Sequence, residues 1–314
     1  MYQFRIGKIG LTVDSQANWL SALALGTALV GIATASVLIA LASQEIKANA
    51  ITCDRLLIAG FTFAISNGSS RLRQDGLSFV ERPNYSNRAI ALLVIAGISF
   101  AISLSLWAWS ITQTSIANST LLNNMMPIFT TLGGWLIFRQ QFSKQFLLGM
   151  GVAIIGAISI GLEDLQVADG NIIGDGAALL AAMFSAVSIL TIERLRTEFS
   201  APVVMQWTSL AGGLFLLPLV LLSSDRLLPI SLTGWSAVVG LGLISQAIGQ
   251  GLLTYSLARF DAGFVAVSML AIPIIAAVLA MIIFAEQLSL FNCLGFAIVL
   301  CGIYLAVSDR SDRS

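Results

Sequence analysis

Two stretches of this chain follow one pattern: residues 127–161 read PIFTTLGGWLIFRQQFSKQFLLGMGVAIIGAISIG, and residues 273–307 read PIIAAVLAMIIFAEQLSLFNCLGFAIVLCGIYLAV. Matches between apolar residues mean little in so apolar a chain. The proline, glutamine, serine and glycine matches, all in one unbroken register, indicate an internal repeat. The matched pairs are Pro127/Pro273, Ile128/Ile274, Ile137/Ile283, Phe138/Phe284, Gln141/Gln287, Ser143/Ser289, Leu148/Leu294, Gly149/Gly295 and Gly156/Gly302.

The composition is typical of a membrane protein. Apolar residues make up 57% of the 314 positions and charged residues 10%, against roughly 25% charged in an average soluble domain. The longest uncharged run, residues 89–138, is long enough for two spanning helices of about 20 residues each. The sequence therefore predicts an all-α integral membrane protein with ten transmembrane helices. The uncharged runs are 15–44, 56–70, 89–138, 145–162, 176–192, 199–224, 227–258, 262–285 and 287–308.

The weakest of these runs is 56–70, which gives the second helix. It reaches spanning length only if the helix begins near Ala48, which draws Asp54 and Arg55 into the membrane edge. At the edge, Arg55 can extend its charged end to the interface. No Asp or Glu is then expected well inside a span. This expectation argues against a proton-coupled exporter with a buried carboxylate relay, and favours facilitated diffusion or exchange.

The basic residues predict an orientation. With the N-terminus inside and ten spans, only Lys47, Arg55 and Arg226 of the 16 basic residues fall on the outer side. Because cytoplasmic loops are enriched in Lys and Arg, we expect both termini in the cytoplasm and the protein in a plasma (inner) membrane.

The acidic link from Glu163 to Asp175 has no basic residue, and we take it as the boundary between the repeats. It divides the chain into residues 1–165, helices one to five, and residues 166–314, helices six to ten. Because five is an odd number, the second repeat must enter the membrane from the opposite face. The sequence thus predicts two inverted five-helix repeats, which are typical of secondary transporters.

The end of each repeat resembles the drug/metabolite transporter superfamily, EamA type, whose members have ten helices in two such repeats. The shared pattern is a mid-helix proline, an apolar stretch, an acidic residue before a short polar turn, and a glycine-bearing helix. The second copy has Glu286 at the acidic position, whereas the first has Gln140. The resemblance implies a transporter of small molecules. Such proteins commonly have an arginine in the part of helix two where Arg55 lies.

Several residues in the predicted spans are candidates for substrate binding or gating. Pro127 and Pro273 are expected near the centres of helices four and nine, where each prevents a straight helix. This pattern fits either a rocking, polar-lined site or a static kink. Two amides, Asn123 and Asn124, lie four and three residues before the first proline. Amides in mid-membrane are costly unless they face a partner or water.

Helix eight is expected to carry a polar stripe of Ser245, Gln246 and Gln250, since residues four apart share a helix face. Such a stripe binds substrate or serves only packing. Trp107, Trp109 and Tyr255 line a cavity or form an interfacial belt. In one interpretation, Arg55 binds the substrate or forms part of a gate. Glu286 is expected to cap a helix end or to form part of a gate. Gly149, Gly156, Gly295 and Gly302 permit close approach between helices.

The leading hypothesis is a secondary transporter, exporter or exchanger, that moves small metabolites by alternating access. Neutral or zwitterionic, amino-acid-like solutes suit the largely uncharged candidate residues. The alternatives are a non-transporting membrane scaffold or sensor and an intramembrane enzyme, which would need paired acids or metal ligands. The chain has no histidine and three cysteines, Cys53, Cys293 and Cys301. We therefore expect no enzyme activity, metal, cofactor or structural disulfide.

The expected partners are a small-molecule substrate and the lipid bilayer. A homodimer stays open as a further arrangement, and no nucleic acid is expected.

Overall fold

The computed structural model describes residues 15–74, 85–110, 113–114, 116–162, 172–223, 226–284 and 290–311. These residues form helices joined by short links, and no strand occurs among them. The all-α class predicted from the sequence is confirmed. The helices are α1 (Ser15–Ala42), α2 (Ala48–Gln74), α3 (Asn87–Ser110), α4 (Ile116–Asn123), α5 (Met126–Phe138), α6 (Lys144–Leu162), α7 (Ile172–Leu195), α8 (Ala201–Leu222), α9 (Leu232–Gly240), a π-helical segment (Leu241–Gln250), α10 (Gly251–Ser256), α11 (Ala262–Met269), α12 (Ile272–Phe284) and α13 (Leu290–Ser311).

Seven helical segments of the described chain are long and apolar enough to cross a membrane. Three shorter apolar helices, Met126–Phe138, Lys144–Ser159 and Cys293–Ala306, accompany them. The count of ten spans stays a prediction. The seven segments are Trp19–Ala42, Ala48–Gly68, Asn87–Ser110, Ile172–Leu195, Ala201–Leu222, Leu232–Ser256 and Ala262–Leu279.

Each of the two repeated prolines lies just after an interruption of helical structure. Pro127 lies in the first turn of α5, directly after a turn at Asn124 and Met125. Pro273 lies in the first turn of α12, after a turn at Leu270 and Ala271. Proline has no N–H to donate, which is harmless in the first turn but costly in a helix interior. The interruptions agree with the expectation that neither proline permits a straight helix, and a role of these residues in gating stays a prediction.

The predicted eighth helix also departs from a regular α-helix. Residues Leu241–Gln250 are π-helical and join α9 to α10. In a π-helix, each N–H donates to the carbonyl oxygen five residues earlier, which makes the turns wider than in an α-helix. Such wide turns are often found at functional sites. The start of α9 is fixed by Glu45, whose Oε2 atom accepts hydrogen bonds from the N–H groups of Ile230, at 2.7 Å, and Ser231, at 3.0 Å.

The Ser231 side chain completes this helix start. Its hydroxyl hydrogen-bonds to Glu45 and accepts from the N–H of Gly234 at 3.0 Å, which makes Ser231 the N-cap. These bonds stabilise the charged carboxylate, with the largest effect from the Ser231 side chain, and hold the pKa of Glu45 below its ordinary value of 4.5. The link after α1 thereby positions the segment that contains Gln246.

Glycines allow the closest helix contacts. Helix α6 packs along α13, where a side chain at Gly149 would lie 2.7 Å from the Gly302 carbonyl oxygen. A side chain at Gly156 would lie 2.6 Å from the Val299 nitrogen. The expectation that the repeated glycines serve close helix approach is confirmed at these positions.

A matched pair of substitutions on α6 tests this contact. We expect Gly149→Ala to lower stability by roughly 1–3 kcal/mol, because the new methyl group meets the backbone of α13. Nothing lies within 4 Å of the corresponding position at Gly151. Gly151→Ala should therefore be neutral, or stabilising by up to about 1 kcal/mol through helix propensity. Thermal unfolding in detergent measures both, and equal midpoints for the two variants would contradict the packing.

Candidate functional site

The most deeply buried charge in the described bundle is paired with an amide from a distant part of the chain. Arg55 on α2 is 5% exposed, and Gln246 in the π-helical segment is 2% exposed. The Arg55 guanidinium donates to Gln246 Oε1 from Nε at 3.2 Å and from Nη2 at 2.6 Å. Both residues were candidates from the sequence, and the structure brings them together.

Arg55 does not lie at the edge of its span. Helix α2 begins at Ala48, and residues 50–56 are all buried. Glycines on the neighbouring helices make room for this depth: a side chain at Gly213 would clash with Leu57, and one at Gly242 would clash with Ile58 and reach 3.4 Å from the Arg55 carbonyl oxygen. The expectation of an arginine that extends to the interface is therefore wrong, because its side chain turns into the bundle.

Asp54 is buried as well: it is 6% exposed and lies inside the candidate span Ala48–Gly68. Its Oδ2 atom is buried and makes no hydrogen bond to a described residue. The expectation that no acidic residue lies well inside a span is wrong at this position. The sequence signal for this position was the short uncharged run 56–70. It is too short to span a membrane alone, so the helix had to include Asp54 and Arg55.

The three residues of the polar stripe on helix eight differ in how deeply they are buried. Ser245 and Gln246 are buried, whereas Gln250 is half-buried. The Ser245 hydroxyl oxygen has no hydrogen-bond partner in the described part of the chain. Of the two glutamines, it is Gln246 that makes the contact with Arg55, and Gln250 stays a candidate on a more open side of the segment.

A second group of candidates lies on α3, on α4 and in the turn before α5. Asn123 ends α4, Asn124 lies in the turn, and both are half-buried. Three buried polar atoms in α3 and α4 make no hydrogen bond to any described residue: Asn123 Oδ1, Trp107 Nε1 and Ser105 Oγ. An unsatisfied buried polar group costs about 1–3 kcal/mol, so such atoms are suited to receive a polar ligand. The sequence did not single out Ser105.

Two further candidates, Trp109 and Tyr255, lie at the surface, and two serines on α7 serve packing. Trp109 and Tyr255 are each 45% exposed, which favours an interfacial position over a cavity lining. Ser185 and Ser188 on α7 bond across to α3, at 2.6 Å to the Ser103 hydroxyl and 2.9 Å to the Ala96 carbonyl oxygen. Glu286 lies outside the described residues.

A separate cavity of about 670 Å³ opens on the surface between α5 and α6. None of the candidate residues lines it, and its walls are mainly apolar. The lining residues are Ile128, Thr131, Leu132, Trp135, Gln141, Phe142, Leu147 and Met150.

The apolar helices and the polar groups enclosed between them define an integral, multi-pass membrane protein. A family model described as the EamA-like transporter family matches residues 18–162 and again residues 172–308. The chain belongs to this family, and the resemblance found in the sequence is confirmed.

Individual relatives agree with the family. The chain is 24% identical over 208 residues to the uncharacterized transporter YetK of Bacillus subtilis (strain 168), with 64% of this chain and 63% of that protein covered. It thus spans somewhat less than two thirds of the length of YetK. It is 24% identical over 267 residues to a probable amino-acid metabolite efflux pump of Salmonella typhimurium (strain LT2), covering 80% and 85%. A solved crystal structure has the same fold, with a TM-score of 0.76, 18% identity and coverage of 93% and 98%.

The pair of Arg55 and Gln246 can be tested by stability alone. Gln246→Leu leaves the buried guanidinium without its acceptor, and we expect a loss of at least about 1.5–3 kcal/mol. Gln246→Glu keeps an acceptor and adds the opposite charge, so it should unfold at or above the wild-type temperature. Gln250→Leu serves as the control for loss of an amide in the same segment. If Gln246→Leu were no less stable than Gln250→Leu in detergent, the pair would not stabilise the fold.

Proposed function

We propose that this protein is a secondary transporter, an exporter or exchanger, of small neutral or amino-acid-like metabolites that works by alternating access. Family membership supports transport. The observation that carries the proposed site is the buried hydrogen bond between Arg55 and Gln246. A buried ionisable group inside a spanning segment is costly, and such groups mark substrate pathways.

The chemistry of this pair favours a substrate with a carboxylate. A guanidinium has five N–H donors, and Gln246 occupies only part of them. Its planar arrangement suits the two oxygens of a carboxylate. Amide oxygens and the indole N–H in the second group suit the other polar atoms of an amino-acid-like solute. The naming of the Salmonella relative as a probable amino-acid metabolite efflux pump agrees with this substrate class.

The proposed binding residues are therefore Arg55 and Gln246, with Asn123, Asn124, Trp107 and Gln250. Trp109 and Tyr255 belong to the proposal with less support, because both are largely exposed. The helix breaks at Pro127 and Pro273, with Glu286, are the proposed gating elements. Transporters bind substrate where spanning helices are discontinuous, and α4–α5 and α11–α12 are discontinuous pairs.

The packing of the helices supports ten helices in two inverted repeats, residues 1–165 and 166–314. Exchange of the halves turns α1 into α7 and α3 into the segment 232–256. The contact of α1 with that segment then corresponds to the contact of α7 with α3, and both contacts are present. The same exchange turns α2 into α8 and α6 into α13. The contact between the members of each pair is therefore its own counterpart, and both contacts are present. Two repeats related by a two-fold axis would produce this pattern.

The distribution of basic residues supports cytoplasmic termini and a plasma (inner) membrane location. A second copy of the chain as a homodimer partner stays a proposal.

Transport by the full chain in liposomes tests this function. With a panel of radiolabelled L-amino acids, we expect counterflow in protein-containing vesicles and none in empty ones. Asn123→Ala and Gln250→Ala should each weaken apparent affinity by about 2–10-fold, the value of one hydrogen bond. Asn87→Ala removes an exposed amide at the start of α3 and is the control. Unchanged affinity in both folded variants would refute the binding roles, and no counterflow of any amino acid would refute the substrate class.

A further inference from the structure

Asp54 is an acidic side chain to which the proposed transport site gives no role. It directly precedes Arg55 on α2 and is almost fully buried, and its Oδ2 atom has no hydrogen-bond donor among the described residues. Adjacent residues on a helix do not face each other. Arg55 accordingly directs its guanidinium to Gln246, and no ion pair joins Asp54 to a described residue.

Among the described residues, the helices that pack against α2 offer Asp54 no buried counter-charge. Helix α2 packs against α3, α8, α9 and the π-helical segment. The last three contain no Asp, Glu, Lys, Arg, Cys or Tyr, and α3 contains only Arg88, which is exposed in its first turn. On α2 itself, the Cys53 thiol donates to the Gly213 carbonyl oxygen at 3.4 Å, and Arg71 and Arg73 lie near the opposite end.

A carboxyl group in such a position is stable in two forms. When ionised and without a partner, it costs several kcal/mol, because neither water nor donors replace its hydration. A bound proton removes the charge, and a bound cation compensates it. Such a carboxyl group is therefore suited to hold either a proton or a cationic group of a ligand.

We propose that Asp54 is a proton-binding site that exchanges its proton for the ammonium group of the substrate, so that proton entry drives substrate export. The inference rests on the proposed transport of amino-acid-like solutes. The ionised Asp54 accepts hydrogen bonds from the substrate ammonium group while Arg55 holds the substrate carboxylate. A proton from the outer water then binds Asp54, neutralises it and releases the substrate with its own protons intact.

Competition for one carboxylate couples the two fluxes. Because Asp54 cannot hold the proton and the ammonium group together, each lowers the affinity of the other by the same factor. A gradient of either one can therefore move the other in the opposite direction. In this proposal, proton-coupled exchange replaces the expectation of facilitated diffusion or exchange without a buried carboxylate.

The test uses liposomes that contain the full chain, with the membrane potential clamped to zero and the same radiolabelled L-amino acids. With the lumen one pH unit more acidic than the medium, wild-type protein should accumulate its amino acid by up to about tenfold for one-to-one exchange. Asp54→Asn imitates the protonated form and should abolish this accumulation. Glu198→Gln removes a carboxylate of a surface ion pair and should behave as wild type.

The outcomes separate this inference from the transport proposal. If wild-type protein shows counterflow but no response to the pH gradient, the transport proposal stands and proton coupling is overturned, a result that needs no variant. If no amino acid moves, the substrate class fails, and infrared spectroscopy of the purified protein decides about the proton site. A protonated-carboxyl band near neutral pH that is lost in Asp54→Asn and kept in Glu198→Gln supports the site. Its absence from wild-type protein overturns it.

Discussion

The need to satisfy a charge inside an apolar bundle constrains the rest of this structure. Arg55 lies among residues that exclude water, and an uncompensated guanidinium there would cost several kcal/mol. The oxygen of Gln246 meets part of this need, and it comes from the π-helical segment far away in the sequence. The position of α2 against that segment, and the wide helical turns that carry Gln246, are therefore linked to one interaction.

Close helix packing makes this interaction geometrically possible. Gly242 and Gly213 let α2 approach its neighbours at Ile58 and Leu57, next to Arg55. A larger side chain at either glycine would separate the helices and lengthen the bonds between Arg55 and Gln246. Helices α6 and α13 use the repeated glycines in the same way, and no charged residue is buried between them in the described part of the chain. Close packing at glycines is thus common to both contacts, whereas the buried charge belongs to only one of them.

The sequence predicted the helical class, the family and the residue types of the site, because composition and repeated motifs report these directly. It identified Arg55 and Gln246 separately but could not pair them, since a contact between distant residues depends on tertiary packing. It placed Asp54 and Arg55 at the edge of the second span, because the sequence alone does not show how the neighbouring helices enclose them. It also predicted that the helices at Pro127 and Pro273 are not straight, but the pattern alone did not give the position of the turn before each proline.

The central claim is that the buried Arg55 guanidinium binds the carboxylate of the substrate. The most direct test compares transport of an amino acid and of its uncharged carboxamide by wild-type protein and by Arg55→Gln. The account predicts that wild-type protein prefers the amino acid by at least about tenfold, the value of a charge-assisted hydrogen bond, and that Arg55→Gln loses this preference. A folded Arg55→Gln variant that still prefers the amino acid to the same degree would contradict it.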